Sequence, residues 1–341
     1  MEALTEYRTI PPTGSEPSER LSLVSVVTPF YNTADFLAEC IESVLRQSYQ
    51  NWEYVLVNNC STDGSAEIAE KYARQDPRIH LYSNDSLLSQ VENYNHALSL
   101  ISTQSKYCKM VEADNWLFPE CLEKMVKLAD CHADVGVVAA YYLKGTEVAG
   151  GGGSPEVEVY QGREVCRKKL LTASFYTGSP TAVMYRADSV RSRQPFYPVG
   201  RFHEDSDVVY EILEQHSLGF VPQILCFQRI DNPSILTKAK SFGPGVLNRF
   251  LEVEMYADRF LTPREALRVR RDARGQYFAF MGRGAIRMRE HAFWQYHFRG
   301  LKTIGWKPPY FRIAVAAVWQ TVELILNPLD TIRRVIPFLI Q

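Results

Sequence analysis

The 341-residue sequence lacks several patterns that identify large classes of protein. Its seven cysteines are scattered and include no C-x-x-C pair, so neither a zinc site nor a disulfide framework is indicated. Residues 1–20 contain no apolar core of a secretory signal, and no run reaches the roughly 20 clean apolar residues of a membrane span. Scattered cysteines are typical of a reducing compartment. We therefore expect a cytoplasmic protein.

Net charge is also nearly absent, at −1, but the charges are unevenly distributed. From residue 241 onward there are 16 lysines and arginines against 8 acidic residues, and the rest of the chain is acidic. This basic part could meet a phosphate-bearing partner or an anionic lipid surface, or it could be a set of solvated helix faces. No nucleic-acid partner is indicated. We predict a flexible segment at 1–20, an α/β domain at 21–240 and a helical extension at 241–341.

Short β-branched runs alternate with helical patterns over the first part of that domain. This alternation predicts a mostly parallel sheet with helices on both faces. The predicted strands are 23–27, 52–57, 79–82, 107–111 and 135–142, and the predicted helices are 34–47, 65–74, 91–101 and 118–131.

Later segments continue this pattern and then become helical. Strands are predicted at 181–185 and 218–227, with a helix at 203–215 between them. Thr262 and Glu265 form a capping-box pattern with proline at the first helical position, which predicts a helix from there to about Glu290. The apolar stretch 310–326 predicts a helix that packs on the core or lies in a membrane interface.

Polar clusters follow three of the predicted strands directly. They are Thr28-Pro29-Phe30-Tyr31-Asn32, the turn from Asn58 to Gly64, and Glu112-Ala113-Asp114. Ligands of parallel α/β sheets bind outside the carboxyl ends of the strands, so these clusters are candidate site residues.

Taken together, these clusters resemble the motifs of family-2 glycosyltransferases. Five motifs occur in the same order as in that family. They are the first strand with its P-x-Y-N turn, the helix containing Cys40-Ile41, the turn N-N-C-S-T-D-G-S, the segment V-E-A-D-N and the pair Glu204-Asp205. The resemblance covers about residues 22–237. It implies a GT-A type nucleotide-binding sheet and an inverting transfer from a nucleotide-sugar donor.

The resemblance also implies roles for individual residues. Asp114 is expected to coordinate Mg²⁺ or Mn²⁺, with Glu112 on the metal or on the donor sugar, and Asp231 stands where the family has a metal-binding histidine. Oxygen ligands suit either cation. Asp205 occupies the position of the catalytic base, beside Glu204 and Asp207, and burial with acidic neighbours would raise its pKa. The donor nucleotide is expected to contact Thr28, Pro29, Tyr31, Asn58, Asn59, Glu112 and Ala113. Gly178-Ser179-Pro180 resembles the turn on the acceptor side.

The sequence departs from the family pattern at several of these positions. Asparagines replace the usual aspartates at Asn58 and Asn59, and Tyr94 stands where an arginine is frequent. The Q-x-x-R-W motif of processive synthases is absent, which predicts transfer of one sugar at a time. We expect a UDP-sugar donor and a surface-glycan or lipid-linked acceptor, with peripheral contact at the inner face of the cell membrane through the C-terminal part. The alternative is a catalytically silent relative that only binds a nucleotide-sugar or glycan.

Overall fold

The structure is a computed structural model, and it describes residues 21–150, 154, 156–173, 177–201, 203–230 and 242–326. Contacts divide the chain into two compact units, Met1–Val199 with His203–Asn232, and Gly200–Phe202 with Pro233–Gln341. The segment predicted to be flexible, 1–20, and the predicted domain boundary at 240 both lie outside the described residues.

The described part of the first unit contains one sheet of ten strands. They are β1 Val24–Phe30, β2 Trp52–Asn58, β3 Ile79–Ser83, β4 Tyr107–Met110, β5 Trp116–Leu117, β6 Val135–Lys144, β7 Glu147–Ala149, β8 Val159–Tyr160, β9 Val183–Arg186 and β10 Ser217–Gln228. The order is β3-β2-β1-β4-β9-β6-β10-β5, with β7 paired to β6 and β8 paired to β10.

Strand direction changes in the middle of this sheet. β3, β2, β1 and β4 are mutually parallel, and β6 is parallel to β10, whereas β9 runs antiparallel between β4 and β6. The chain moves outward from β1 to β2 and β3 and then returns to place β4 on the other side of β1. This reversal is a topological switch point, where α/β sheets open a crevice for ligands at the carboxyl ends of the strands.

Helices cover both faces, since every residue of the central strand β1 is buried. The helices of this unit are α1 Ala34–Leu45, α2 Ser65–Gln75, α3 Gln90–Ser99, α4 Cys121–Cys131, α5 Gly162–Thr172, α6 Ala187–Arg191 and α7 Glu204–Leu213. Helix α3 begins at a capping box in which the hydroxyl of Ser89 and the side chain of Glu92 satisfy each other's backbone N–H groups.

One predicted helix start is wrong. The helix expected from residue 118 begins only at Cys121, because Trp116–Leu117 forms a strand against β10 and the Phe118 N–H donates to the carbonyl of Leu225 (3.0 Å). The first residues of the predicted strand 181–185 likewise form a 3₁₀ turn, Pro180–Ala182, before β9 begins.

The described part of the second unit is helical. It consists of α8 Pro244–Phe260, α9 Pro263–Ile286, α10 His291–Thr303 and α11 Tyr310–Leu326 around a core that includes Phe250, Tyr277 and Leu301. The predicted capping box of Thr262 and Glu265 is present, although the helix ends at Ile286 rather than near Glu290. The α/β fold with a helical C-terminal part is thus confirmed. Within the described residues, none of the helices is both long enough and apolar enough to span a bilayer.

Candidate active site

The carboxyl end of β1 is tied directly to the acidic segment that follows β4. The buried hydroxyl of Thr28 donates to the carbonyl of Val111 (2.8 Å) and lies 2.9 Å from the hydroxyl of Tyr54. Pro29 is also buried in β1, whereas Tyr31 is 46% exposed just beyond the strand. Thr28, Pro29 and Tyr31 are all predicted to contact the donor, and among these three Tyr31 has the exposed side chain. The hydroxyl of Thr28 instead holds the backbone of Val111, the residue before Glu112.

The turns after β1 and β2 are joined to each other by reciprocal hydrogen bonds. The Asn32 side chain accepts from the Thr62 N–H (2.8 Å), and the Asp63 carboxylate accepts from the Ala34 N–H (2.9 Å) and the Ser65 hydroxyl (2.6 Å). Although burial acts in the opposite direction, these hydrogen bonds lower the pKa of Asp63. Asp63 therefore stays charged at neutral pH and holds both turns in place.

The two asparagines at the end of β2 make extensive contacts within the protein. Asn59 pairs with the backbone of Leu88, donating to its carbonyl and accepting from its N–H (both 2.9 Å), and it also accepts from Asn84 (2.8 Å). The oxygen of Asn58 accepts from the Ser61 N–H (2.9 Å). Within the part of the chain that the structure describes, the Asn58 amide nitrogen has no hydrogen-bond partner, so it is the polar atom of this pair that remains for a ligand.

The Asn59 contacts explain why an amide suits this position. An aspartate could accept from the Leu88 N–H but could not donate to the Leu88 carbonyl, which would then lose its partner. Asn84 extends the network to Asn93 (2.9 Å) and to Nδ1 of His96 (2.7 Å), both on α3. The sequence predicts contact between Asn59 and the donor nucleotide, whereas this hydrogen-bond network within the protein was not visible from it.

Glu112 lies at the switch point, and its carboxyl group is enclosed by hydrogen-bond donors. One oxygen accepts from the amide of Asn115 (3.1 Å) and the hydroxyl of Thr181 (3.2 Å), and the other accepts from the hydroxyl of Tyr94 (3.3 Å). Burial and then the charge of Asp114 raise the pKa of Glu112 to about 7, while hydroxyl groups that include Ser179 and Thr181 act in the opposite direction.

Asp114 follows two residues later and is half-buried, with buried Ala113 between the two carboxylates. Arg229 crosses this turn: its side chain donates to the carbonyl of Asp114 (3.2 Å), and its backbone N–H donates to Asn115 (2.9 Å). The third predicted ligand, Asp231, lies outside the described residues. Among the residues that are described, no group of three or more His, Cys, Asp or Glu side chains is arranged to hold a metal ion.

A buried lysine that the sequence analysis missed supports the Thr181 side of this site. Lys109 of β4 is fully buried and donates to the carbonyls of Thr181 and Val183 (3.1 Å to the latter). A buried ammonium group needs such partners, and these two carbonyls flank the turn that carries the Thr181 hydroxyl to Glu112. The only sequence signal was a lysine inside an otherwise apolar strand.

The second acidic segment forms the first turn of α7, where negative charge is favourable for the helix dipole. Burial, together with the charges of Asp205 and Asp207, raises the pKa of Glu204 to about 7. The Asp205 carboxylate accepts from the Ser206 N–H (2.7 Å). Glu204, the residue directly before the proposed base, therefore exchanges its proton near neutral pH.

Tyr142 connects the two acidic segments. Its pKa is raised by burial first and also by the charges of Cys226, Asp205 and Glu112. Asp205 and Glu112 therefore lie within electrostatic reach of the same tyrosine, which places both acidic segments in one region of the first unit.

Gly178, in the turn predicted on the acceptor side, packs directly on Tyr142. A Cβ atom at Gly178 would lie 2.3 Å from Cε1 of that ring. Only glycine allows so close an approach. The turn from Gly178 to Pro180 is therefore held between Tyr142 and the Glu112 cluster.

Comparison with known proteins shows the family to which the chain belongs. The profile of glycosyl transferase family 2 matches residues 25–193. EpsE of Bacillus subtilis (strain 168), which is named as a glycosyltransferase, is 30% identical over 234 residues, covering 67% of this chain and 80% of the relative. The chain therefore belongs to glycosyl transferase family 2.

A further relative and two solved structures extend the comparison. TuaG of Bacillus subtilis, named as a teichuronic acid biosynthesis glycosyltransferase, is 35% identical over 31% of this chain and 41% of its own. S. aureus TarS 1-349 in complex with UDP-GlcNAc has a TM-score of 0.57 at 13% identity, covering 82% of this chain and 79% of that one. The Pyrobaculum calidifontis mannosyltransferase PcManGT in complex with GDP-Man and Mn²⁺ has a TM-score of 0.53 at 14% identity, covering 92% and 91%. At these identities the two structures show a shared fold.

Proposed function

We propose that this chain is an inverting glycosyltransferase that moves one sugar from a nucleotide-sugar, with a UDP-sugar preferred, to a hydroxyl group of a glycan or lipid-linked acceptor. The observation that carries the proposal is the enclosed carboxyl of Glu112 at the switch-point end of the sheet, which is linked through the turn of Gly178 to Tyr142, a residue whose pKa the charge of Asp205 also raises. The names of the relatives EpsE and TuaG, and the UDP-GlcNAc in the TarS structure, support a role in surface polysaccharide synthesis with such a donor.

The acidic turn after β4 fits a divalent cation, Mg²⁺ or Mn²⁺. When bound, such a cation would offset the negative charge of the leaving nucleoside diphosphate. Asp114 and Glu112 would hold it, since the Asp114 charge already raises the pKa of Glu112 and a cation relieves that repulsion. Asp231 is the third proposed ligand. Arg229, two residues before it, is anchored on the same turn.

The acidic start of α7 would provide the base. In the proposed step, Asp205 takes the proton of the acceptor hydroxyl as the acceptor oxygen bonds to the anomeric carbon. The bond from that carbon to the diphosphate breaks on the opposite side, which inverts the configuration. Glu204 directly precedes this carboxylate, and its own pKa of about 7 suits proton exchange at neutral pH.

The donor nucleotide would lie over the turns after β1 and β2. Tyr31 offers an exposed ring to the base, the backbone of Thr28 and Pro29 lies beside it, and the Asn58 amide nitrogen could donate to an acceptor on the base. Asn59 shapes this pocket through Leu88.

The proposal is tested by incubating purified protein with UDP-, GDP- and dTDP-sugars in the presence of Mn²⁺ or Mg²⁺ and measuring release of the nucleoside diphosphate and transfer to glycan acceptors. We expect turnover with a UDP-sugar, and its loss in Asp114→Asn. Asp188→Asn, at an exposed carboxylate 3.5 Å from Arg186, is the matched control. Donor binding without hydrolysis or transfer would instead establish the silent relative.

We also propose that α11 lies on an anionic membrane surface. Phe311, Val318 and Trp319 are 81%, 65% and 69% exposed on one side of the helix, while Ile313 and Gln320 are buried on the other. The excess of positive charge beyond residue 241 complements anionic lipid. An exposed apolar stripe with nearby cations is typical of an interfacial helix.

Flotation with vesicles tests this contact. The protein is expected to float with phosphatidylglycerol vesicles and less with phosphatidylcholine, and Val318→Ser/Trp319→Ser should abolish flotation without changing the melting temperature, because both side chains face solvent. Leu267→Ser, which is 73% exposed on α9, is the control. Equal flotation of the stripe variant and the parent would discard the membrane contact.

A further inference from the structure

A groove of about 810 Å³ in the second unit combines cations with aromatic rings. Its lining includes Arg299, Lys302 and Lys307, and, counting the described residues alone, no carboxylate lines it. The volume lies within the range of small-molecule sites, which are mostly apolar with a few placed polar groups. Nothing in the proposed transfer reaction uses this groove.

The fold brings these cations together through the end of α10. Gly305 adopts φ +76°, its N–H donates to the carbonyl of Lys302, and the Trp306 N–H donates to that of Leu301 (both 3.0 Å). This is a Schellman motif, which reverses the chain after the helix. As a result, Trp306 and Lys307 line the same groove as Lys302, and two carbonyls at the negative end of the helix are already satisfied.

The aromatic rings that line the groove are held in place by other residues of the second unit. Trp306 packs edge-on against Phe250, with the ring centroids 5.3 Å apart. The Phe242 carbonyl lies 2.9 Å from Nε2 of His297, and the Phe242 ring lies 5.5 Å from that of Tyr296. Burial lowers the pKa of His297 to about 4, so this imidazole is neutral and acts as a support. Trp306, Phe242 and Tyr296 therefore present their rings to the groove in fixed positions.

Two carboxylates elsewhere in this unit are paired with arginines outside the groove. Arg274 forms a two-bond pair with Glu254, and Arg270 forms another with Asp258, at 2.6–2.7 Å. The positive charge of the groove is therefore not neutralised by these groups. Arginine and lysine next to aromatic faces suit an anion whose remaining part is apolar or a sugar ring.

We propose that this groove is a binding site for a phosphate ester, with the phosphate held by Lys302 and Lys307 and the organic part held against Tyr296 and Trp306. The site goes beyond the proposed transferase function, since it is built within the second unit. The phosphate could belong to a sugar phosphate or to a lipid headgroup, which share this chemistry.

Calorimetric titration of the full chain tests the site, with glucose 1-phosphate, dihexanoyl phosphatidic acid and inorganic phosphate as probes. We expect at least one ester to bind about tenfold or more tightly than inorganic phosphate, because inorganic phosphate lacks the part that contacts the rings. Lys302→Ala/Lys307→Ala should weaken ester binding about tenfold or more, as expected when charged hydrogen-bond donors are lost. Arg264→Ala/Arg268→Ala removes two exposed charges on α9 and should leave binding unchanged.

The outcomes distinguish a lipid headgroup from a sugar phosphate, and they distinguish this site from the proposed transferase function. Tighter binding of the lipid identifies a headgroup site, and tighter binding of the sugar phosphate identifies a glycan site. Asp114→Asn should bind the esters normally, so a failure of the transferase proposal would not affect this result. Equal binding of esters and inorganic phosphate, equal loss in both double variants, or no binding at millimolar concentrations would overturn the site.

Discussion

Replacing Glu112 by glutamine is expected to lower turnover and to raise the stability of the folded protein at high pH. The pKa of this carboxyl rises from 4.5 to about 7 on folding, chiefly through burial. At 1.36 kcal/mol per pH unit, ionising it in the folded protein costs at most about 3 kcal/mol more than in the unfolded chain. The folded state holds the proton more tightly, so this cost is absent below pH 4.5, grows as the pH rises through 4.5–7, and is complete above that window.

Glu112→Gln removes this cost and keeps an oxygen for Asn115 and Thr181. Its melting temperature should match the parent at pH 4.5 and exceed it by several degrees at pH 8, while turnover falls. Glu120→Gln, on an exposed carboxylate, is the control and should show no such trend. Thermal unfolding across pH 4.5–8.5 measures the difference. A difference in melting temperature that does not change with pH would show that the pKa of the Glu112 carboxyl is not raised on folding.

Three further outcomes are expected. Asp205→Asn should lower kcat by about 10²-fold or more with donor binding retained, as loss of a general base implies, and unchanged kcat would remove it from the mechanism. Asn59→Asp should destabilise the protein by about 1–3 kcal/mol in urea unfolding, because the Leu88 carbonyl loses its donor, and a neutral result would show that the pairing contributes nothing. Gly178→Ala should cost about 1–3 kcal/mol through its clash with Tyr142, and wild-type stability would show that the ring yields freely.

Many helices and strands could be predicted because they depend on interactions between residues that are close together in the sequence. The capping box at Thr262 and Glu265 needs only four consecutive residues, and it was found where the sequence placed it. The β1 run could be recognised because a central strand is buried on both faces. Local patterns missed the short strand Trp116–Leu117, in contrast, because its pairing with Cys226 and Phe227 depends on a distant segment, and the next helix was therefore predicted to begin too early, at residue 118.

The site was predicted at the level of segments and less well at the level of single atoms. The resemblance implies roles for Glu112, Asp114 and Asp205, which stay predictions, and no motif indicated that Lys109 supports the turn that carries Thr181. Nor could the sequence show that the pKa of Glu204 is raised to about 7, because this shift depends on how much water the carboxyl loses on folding.

The reciprocal bonds between the turns after β1 and β2 have a consequence for how a nucleotide enters and leaves. Because Asn32 holds the backbone of Thr62 while Asp63 holds that of Ala34, neither loop can swing outward alone without breaking bonds to the other. The two turns are therefore expected to move together, since opening one of them costs the hydrogen bonds that it makes to the other. A nucleotide that contacts either turn would therefore meet a surface to which both turns contribute.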